Sequence, residues 1–174
     1  ARERVKWADF GWQGIRLRIP EDWNLGKVDG SPESGYARLD DAEIVRAEVE
    51  WREIRTRTDS SVSALVERYL ENLQKKAGKT GIDFEVQRRA RFLKDKRWLG
   101  NDDYETFIWE ADYRAFNLAR SCRECGRIVL LRVLGRRDEN LEELAEQVQG
   151  LLDPGQRRVD LLLGQGLAPL VVAS

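Results

Sequence analysis

Apolar and polar residues alternate along much of this chain, and the alternation marks out its strands. The run from Glu43 to Ile54 is the clearest. Val45, Ala47, Val49 and Trp51 fall on one side, and Arg46, Glu48, Glu50 and Arg52 on the other. Period two with opposite charges on the outer side predicts an antiparallel sheet with one wet face. Ahead of it, Ile15 to Ile19 alternates apolar and basic until Pro20 stops the strand. Residues 24–35 are rich in Gly and Pro and read as a loop. Tyr36 to Leu39 reads as a short strand, turned by Asp40 and Asp41.

The period then changes to that of a helix. Val62, Leu65, Val66, Tyr69, Leu70 and Leu73 recur at helical spacing, Asp59, Ser60 and Ser61 offer caps, and Gly78 is the expected stop. Alternation returns in Phe84 to Phe92. It returns again from Tyr104 to Arg120, which reads as one long strand with Phe107, Trp109, Ala111, Tyr113 and Ala115 on one face. Cys122-Arg123-Glu124-Cys125-Gly126 reverses the chain, and Arg127 to Leu134 follows as an apolar strand. Asp138 caps a second amphipathic helix with Leu141, Leu144, Ala145, Val148 and Leu151 as its stripe, ended by Pro154 and Gly155.

The order β-β-β-α-β-β-β-α predicts an α+β domain over residues 1–152. It has an antiparallel sheet of about six strands with two helices packed on it. Residues 153–174 form a C-terminal extension too apolar for a solvated tail, with Leu161, Leu162, Leu163, Leu170, Val171 and Val172. It is expected to dock on its own domain or on a partner chain. The opening Ile15-Arg16-Leu17-Arg18-Ile19-Pro20-Glu21-Asp22-Trp23, the element order and the closing amphipathic helix resemble the PsbP-like α/β/α sandwich family over about residues 10–152. That resemblance implies a binding or assembly role without shared active-site residues. The cysteine pair is not part of the family pattern.

Composition narrows the chemistry. The 174 residues are enough for a core that needs no disulfide framework. The chain is 35% charged, against roughly 25% for an average domain. Yet its net charge is only -1, which speaks against a whole-domain polyanion binder. Arg far outnumbers Lys and Met is absent; such a composition is thermophile-like, and a GC-rich genome would also raise Arg. There is no run of 18 apolar residues, the length that would suit a membrane span, and no export signal is seen. The expected location is cytoplasmic, unless a signal was removed.

There is no histidine. That removes His-dependent nucleophile pairs and the commonest metal ligand, and the reading favours a non-enzyme. Cys122 and Cys125 are the only cysteines. Their spacing suits a plain hairpin turn, a local disulfide, a redox pair, or a zinc half-site completed by a second copy. The stretch Arg88, Arg89, Arg91, Lys94, Lys96, Arg97 and Trp98 suits phosphate tracking or, equally, cross-strand ion pairs on a solvated face. Asp40-Asp41 and Asp102-Asp103 sit where strands turn, which Asp favours for backbone reasons.

The leading expectation is a non-catalytic binding or assembly domain meeting a protein partner or a second copy of itself. Trp12, Trp23, Arg89, Arg91 and Leu170 are the candidate contacts. A nucleic-acid domain using residues 88–97, and a thiol redox or zinc-knuckle protein using Cys122 and Cys125, are the alternatives. No cofactor is expected beyond zinc shared between two chains.

Overall fold

The computed structural model describes residues 6–12, 15–88, 102–122, 126–140 and 170–173, with backbone only for Trp7, Ile15, Arg16 and 170–173. The chain runs β1 (Trp7–Trp12), β2 (Ile15–Pro20), β3 (Asn24–Gly30), β4 (Ser34–Asp40) and β5 (Val45–Glu53). A short 3-10 turn (Thr58–Ser60) leads to α1 (Val62–Thr80). Then come β6 (Glu85–Arg88), β7 (Asp103–Glu110), β8 (Arg114–Cys122), β9 (Arg127–Gly135) and β10 (Leu170–Ala173).

These elements correct the expected α+β sandwich of about six strands and two helices. The described residues are mostly β, with a seven-stranded antiparallel sheet, a second sheet of three strands, and one α-helix. Seven strands lie in the order β3-β4-β5-β9-β8-β7-β6, and β10-β1-β2 form the small sheet. The layers are therefore small sheet, large sheet and helix, in place of helix, sheet and helix. The expected second helix, from residue 141 onward, lies outside the described residues.

Two strands were missed and one was divided. Residues 24–30 form edge strand β3 although they look like a loop. A register shift between Leu25 and Lys27 accommodates Gly26 without breaking the pairing to β4. The stretch from Trp7 to Trp12 is a full strand, paired with β2 and β10. The long strand expected from Tyr104 to Arg120 is the β7–β8 hairpin. Glu110 pairs with Arg114 across the turn, and the Ala111 N–H donates to the Tyr113 carbonyl at 2.9 Å.

Both faces of the large sheet carry core. On the first, Val49, Trp51, Phe116, Leu118, Leu131 and Val133 join Ala8, Phe10, Leu17 and Ile19 of the small sheet in one buried cluster. Trp51 lies across Gly35 on β4, where any side chain would collide with the indole ring. Its Nε1–H donates to the Ser31 carbonyl at 2.7 Å. On the second face, Phe107, Ala119, Ile128 and Leu130 pack against Val62 and Val66 of α1.

The helix forms where the sequence caps it. The Ser61 side chain accepts from the Ala64 N–H at 3.2 Å. The helix runs past Gly78 and stops at Gly81, whose φ of 69° is the left-handed conformation that ends helices.

One ion-pair cluster ties the β4–β5 turn to the chain leaving β9. Arg46 is buried, stacks over the Trp23 ring at 5.3 Å, and holds Glu139 through two N–H donors at 2.7 and 2.6 Å. Arg136 adds contacts to Asp41, Glu43 and Glu139. The Arg46 hydrogen bonds hold the Glu139 carboxyl below its ordinary range, against the opposing effect of burial.

Candidate ligand-binding groove

α1 lies over β7 and β8 and leaves the β3–β5 half of the same sheet face open. The step between helix and open sheet is a groove of about 860 Å³. Its helix wall is one stripe, Leu65, Arg68, Tyr69, Asn72, Leu73 and Lys76, at the spacing that puts residues on one side of a helix. Asp29, Tyr36, Glu48, Glu50 and Arg52 form the sheet wall. Trp109, Ile128, Leu130 and Arg132 line it from the strands next to the helix.

The large sheet's register assembles a polar cluster in this groove. Glu48 on β5 pairs with Arg132 on β9, and Arg132 pairs in turn with Asn117 on β8. Arg132 Nη1 donates to Glu48 Oε1 at 2.9 Å, and its Nε donates to Asn117 Oδ1 at 3.2 Å. The Tyr36 hydroxyl donates to the other Glu48 oxygen at 2.6 Å. The Arg132 guanidinium lies over the Tyr69 ring, 4.6 Å from its centre, a cation–π placement. Trp109 Nε1–H donates to the Tyr69 hydroxyl oxygen at 2.9 Å. Burial works against the Arg132 charge, but Tyr69, Glu48 and Glu50 outweigh it and keep the group protonated.

Both groove tyrosines resist ionisation. Burial first, then the hydrogen bond to Glu48 and its charge, push the Tyr36 phenol well up. Burial also raises the Tyr69 phenol, opposed by the Arg132 charge and the Trp109 N–H. A phenol raised in the folded state contributes stability that is whole below about pH 10, the unfolded value, and is lost as pH rises through the folded one. An alkaline titration followed at 295 nm should therefore show a late fraction of phenolate signal. Tyr36→Phe should shrink that fraction; an unchanged late fraction would show that Tyr36 is not the protected group.

The residues singled out from sequence fall elsewhere. Cys122 ends β8 opposite Arg127, is 2% exposed, and is disulfide-bonded. In that state it offers no thiolate to a metal. Cys125 lies outside the described residues, as do Arg89 and Arg91. Arg88, at the head of the basic stretch, pairs with Glu67 of α1 and with Glu105 of β7. Trp23 is 3% exposed and belongs to the core. Trp12 ends β1, packed against the same core, and its Nε1 has no hydrogen-bond partner among the described residues. Leu170 starts β10 and pairs with Gly11, so the extension returns to the N-terminal strand.

Among the described residues, no three His, Cys, Asp or Glu gather to hold a metal ion. No described helix is long and apolar enough to cross a membrane. The chain matches no protein-family model and no curated protein.

The groove residues come from five strands and a helix, so no local motif announces them. One signal was available: Arg132 is the lone charge in the apolar run Ile128 to Leu134. A cation at a strand position flanked by core residues needs a partner, and the partner lies across the sheet.

Proposed function

We propose that this is a non-catalytic binding domain that takes its ligand in the groove beside α1. One observation carries the reading. The groove is about 860 Å³, within the roughly 300–1,000 Å³ of ligand sites, and joins aliphatic and aromatic walls to a few fixed polar groups. Catalysis by acid and base would need a free proton acceptor beside a nucleophile. Glu48 is instead engaged by both Tyr36 and Arg132. A preformed polar cluster whose charged members, Glu48 and Arg132, already hold each other supports recognition. The PsbP-like resemblance in residues 15–23 points to the same class of role. The nucleic-acid alternative loses its first cation, because Arg88 is held between two glutamates.

The test is a fragment screen on isotope-labelled protein by amide NMR. Fragments are expected to shift groove resonances around Tyr36, Tyr69 and Arg132. Leu73→Arg, which puts a charged chain on the helix wall, should remove those shifts while thermal unfolding stays cooperative. Hits that map away from the groove, or shifts indifferent to Leu73→Arg, would overturn the assignment.

A further inference from the structure

We infer that the occupant of the groove is an extended peptide segment of a partner protein, held through an uncharged backbone carbonyl, and not an anion. The inference rests on the binding reading above and goes on to name the ligand.

The polar cluster supplies a donor without supplying net charge. The Tyr69 oxygen accepts from Trp109, and no described residue accepts the Tyr69 O–H proton. With no acceptor among the described residues, that hydroxyl is open to water when the groove is empty and to a ligand oxygen when it is filled. The neighbouring charges cancel, since Arg132 is bound to Glu48. A carboxylate or phosphate brought to Tyr69 would lose hydration and approach Glu48, with Arg132 already engaged. A neutral carbonyl takes the hydrogen bond and avoids that cost.

The walls suit a chain more than a compact ligand. The helix stripe from Leu65 to Lys76 extends roughly 16 Å at 1.5 Å per residue. That length matches about five residues of extended peptide. Leu65 and Leu73 offer apolar contact along the stripe. The exposed charges of the helix wall are both cations, Arg68 and Lys76, whereas the sheet wall is mixed, with Asp29 and Glu50 beside Arg52. An extended peptide points alternate side chains to opposite sides, so an acid can face the helix while a base faces the sheet.

The experiment titrates labelled protein with four probes, followed by amide NMR. The first is a pentapeptide, acetylated and amidated, of glutamate, leucine, phenylalanine, lysine and alanine in that order, which puts the acid and the base on opposite sides of an extended chain. N-cyclohexylacetamide is the small-amide probe, and octanoate and phenyl phosphate are the anions. The peptide is expected to shift groove resonances and to bind tighter than the small amide. Tyr69→Phe should weaken the peptide about two- to tenfold, the range of one hydrogen bond. Leu73→Arg should abolish peptide binding, so the idea stays testable if Tyr69→Phe folds poorly. Anions binding the groove in preference to the peptide would overturn the carbonyl inference and leave the groove assignment standing. The small amide binding as tightly as the peptide would overturn the peptide. Failure of all four probes, with fragments still reaching the groove, would reject this ligand class alone.

Discussion

Arg132→Ala is expected to lower the unfolding free energy by about 3–5 kcal/mol, the usual cost of removing one partner of a buried pair. The Arg132 side chain is 12% exposed and that of Glu48 is 20% exposed, so little solvent is at hand to replace the lost contacts. Asn117 is fully buried and loses its hydrogen bond to the Arg132 Nε. Glu48 keeps only Tyr36. A double variant, Arg132→Leu with Glu48→Leu, should recover part of the loss, because no unpaired charge remains. Asn117 and Tyr36 stay short of partners and prevent full recovery. Urea unfolding monitored by fluorescence measures all three proteins. A single-variant loss below about 1 kcal/mol, the worth of a surface ion pair, would mean the groove is wetter than its geometry implies.

Phe116→Ala should cost a similar amount, about 3–5 kcal/mol, by a different route. Phe116 is 0% exposed and sits between Ile108 on β7 and Val133 on β9, on the face toward the small sheet. Removing its ring leaves a void that neighbouring strands cannot collapse into, since their hydrogen bonds fix their spacing. Thermal and urea unfolding should agree on a large loss. Tyr113→Ala, at a turn position 40% exposed, is the control and should change little. Equal losses in the two variants would contradict the core placement of Phe116.

The two variants mark what the sequence could and could not reveal. Phe116 was not readable as core from alternation, because it falls on the even face that Glu110, Asp112 and Arg114 mark as polar. The faces of β5 were readable, with Ala47, Val49 and Trp51 buried and Glu50 and Arg52 exposed, Arg46 being the buried exception. Alternation failed at the β7–β8 hairpin for a geometric reason. Glu110 faces Arg114, so the three-residue turn keeps odd residues on one face before and after it. The apolar pattern runs through the turn in phase, and neither Gly nor Pro marks it. β3 failed for the opposite reason. Gly26, Asp29 and Gly30 are turn residues by type, but an edge strand with a bulge tolerates them. The groove was hidden because its cluster exists only through register: Glu48 and Arg132 are far apart in sequence and meet because β5 and β9 are neighbours. The Cys122 region was conspicuous in sequence, yet it lies at the end of β8 and does not line the groove.

The pairing of β1 with β10 has a consequence for synthesis. β1 and β2 emerge early as neighbouring strands, and β3 to β9 complete the large sheet by themselves. The free edge of β1 acquires its partner only when residues 170–173 have been made, nearly a chain length later. Contacts that distant in sequence form last. Throughout that interval β1 presents unpaired backbone donors and acceptors, a template for a strand from a neighbouring nascent chain. Crowding of ribosomes on one message is thus the condition under which this protein is most exposed to mispairing.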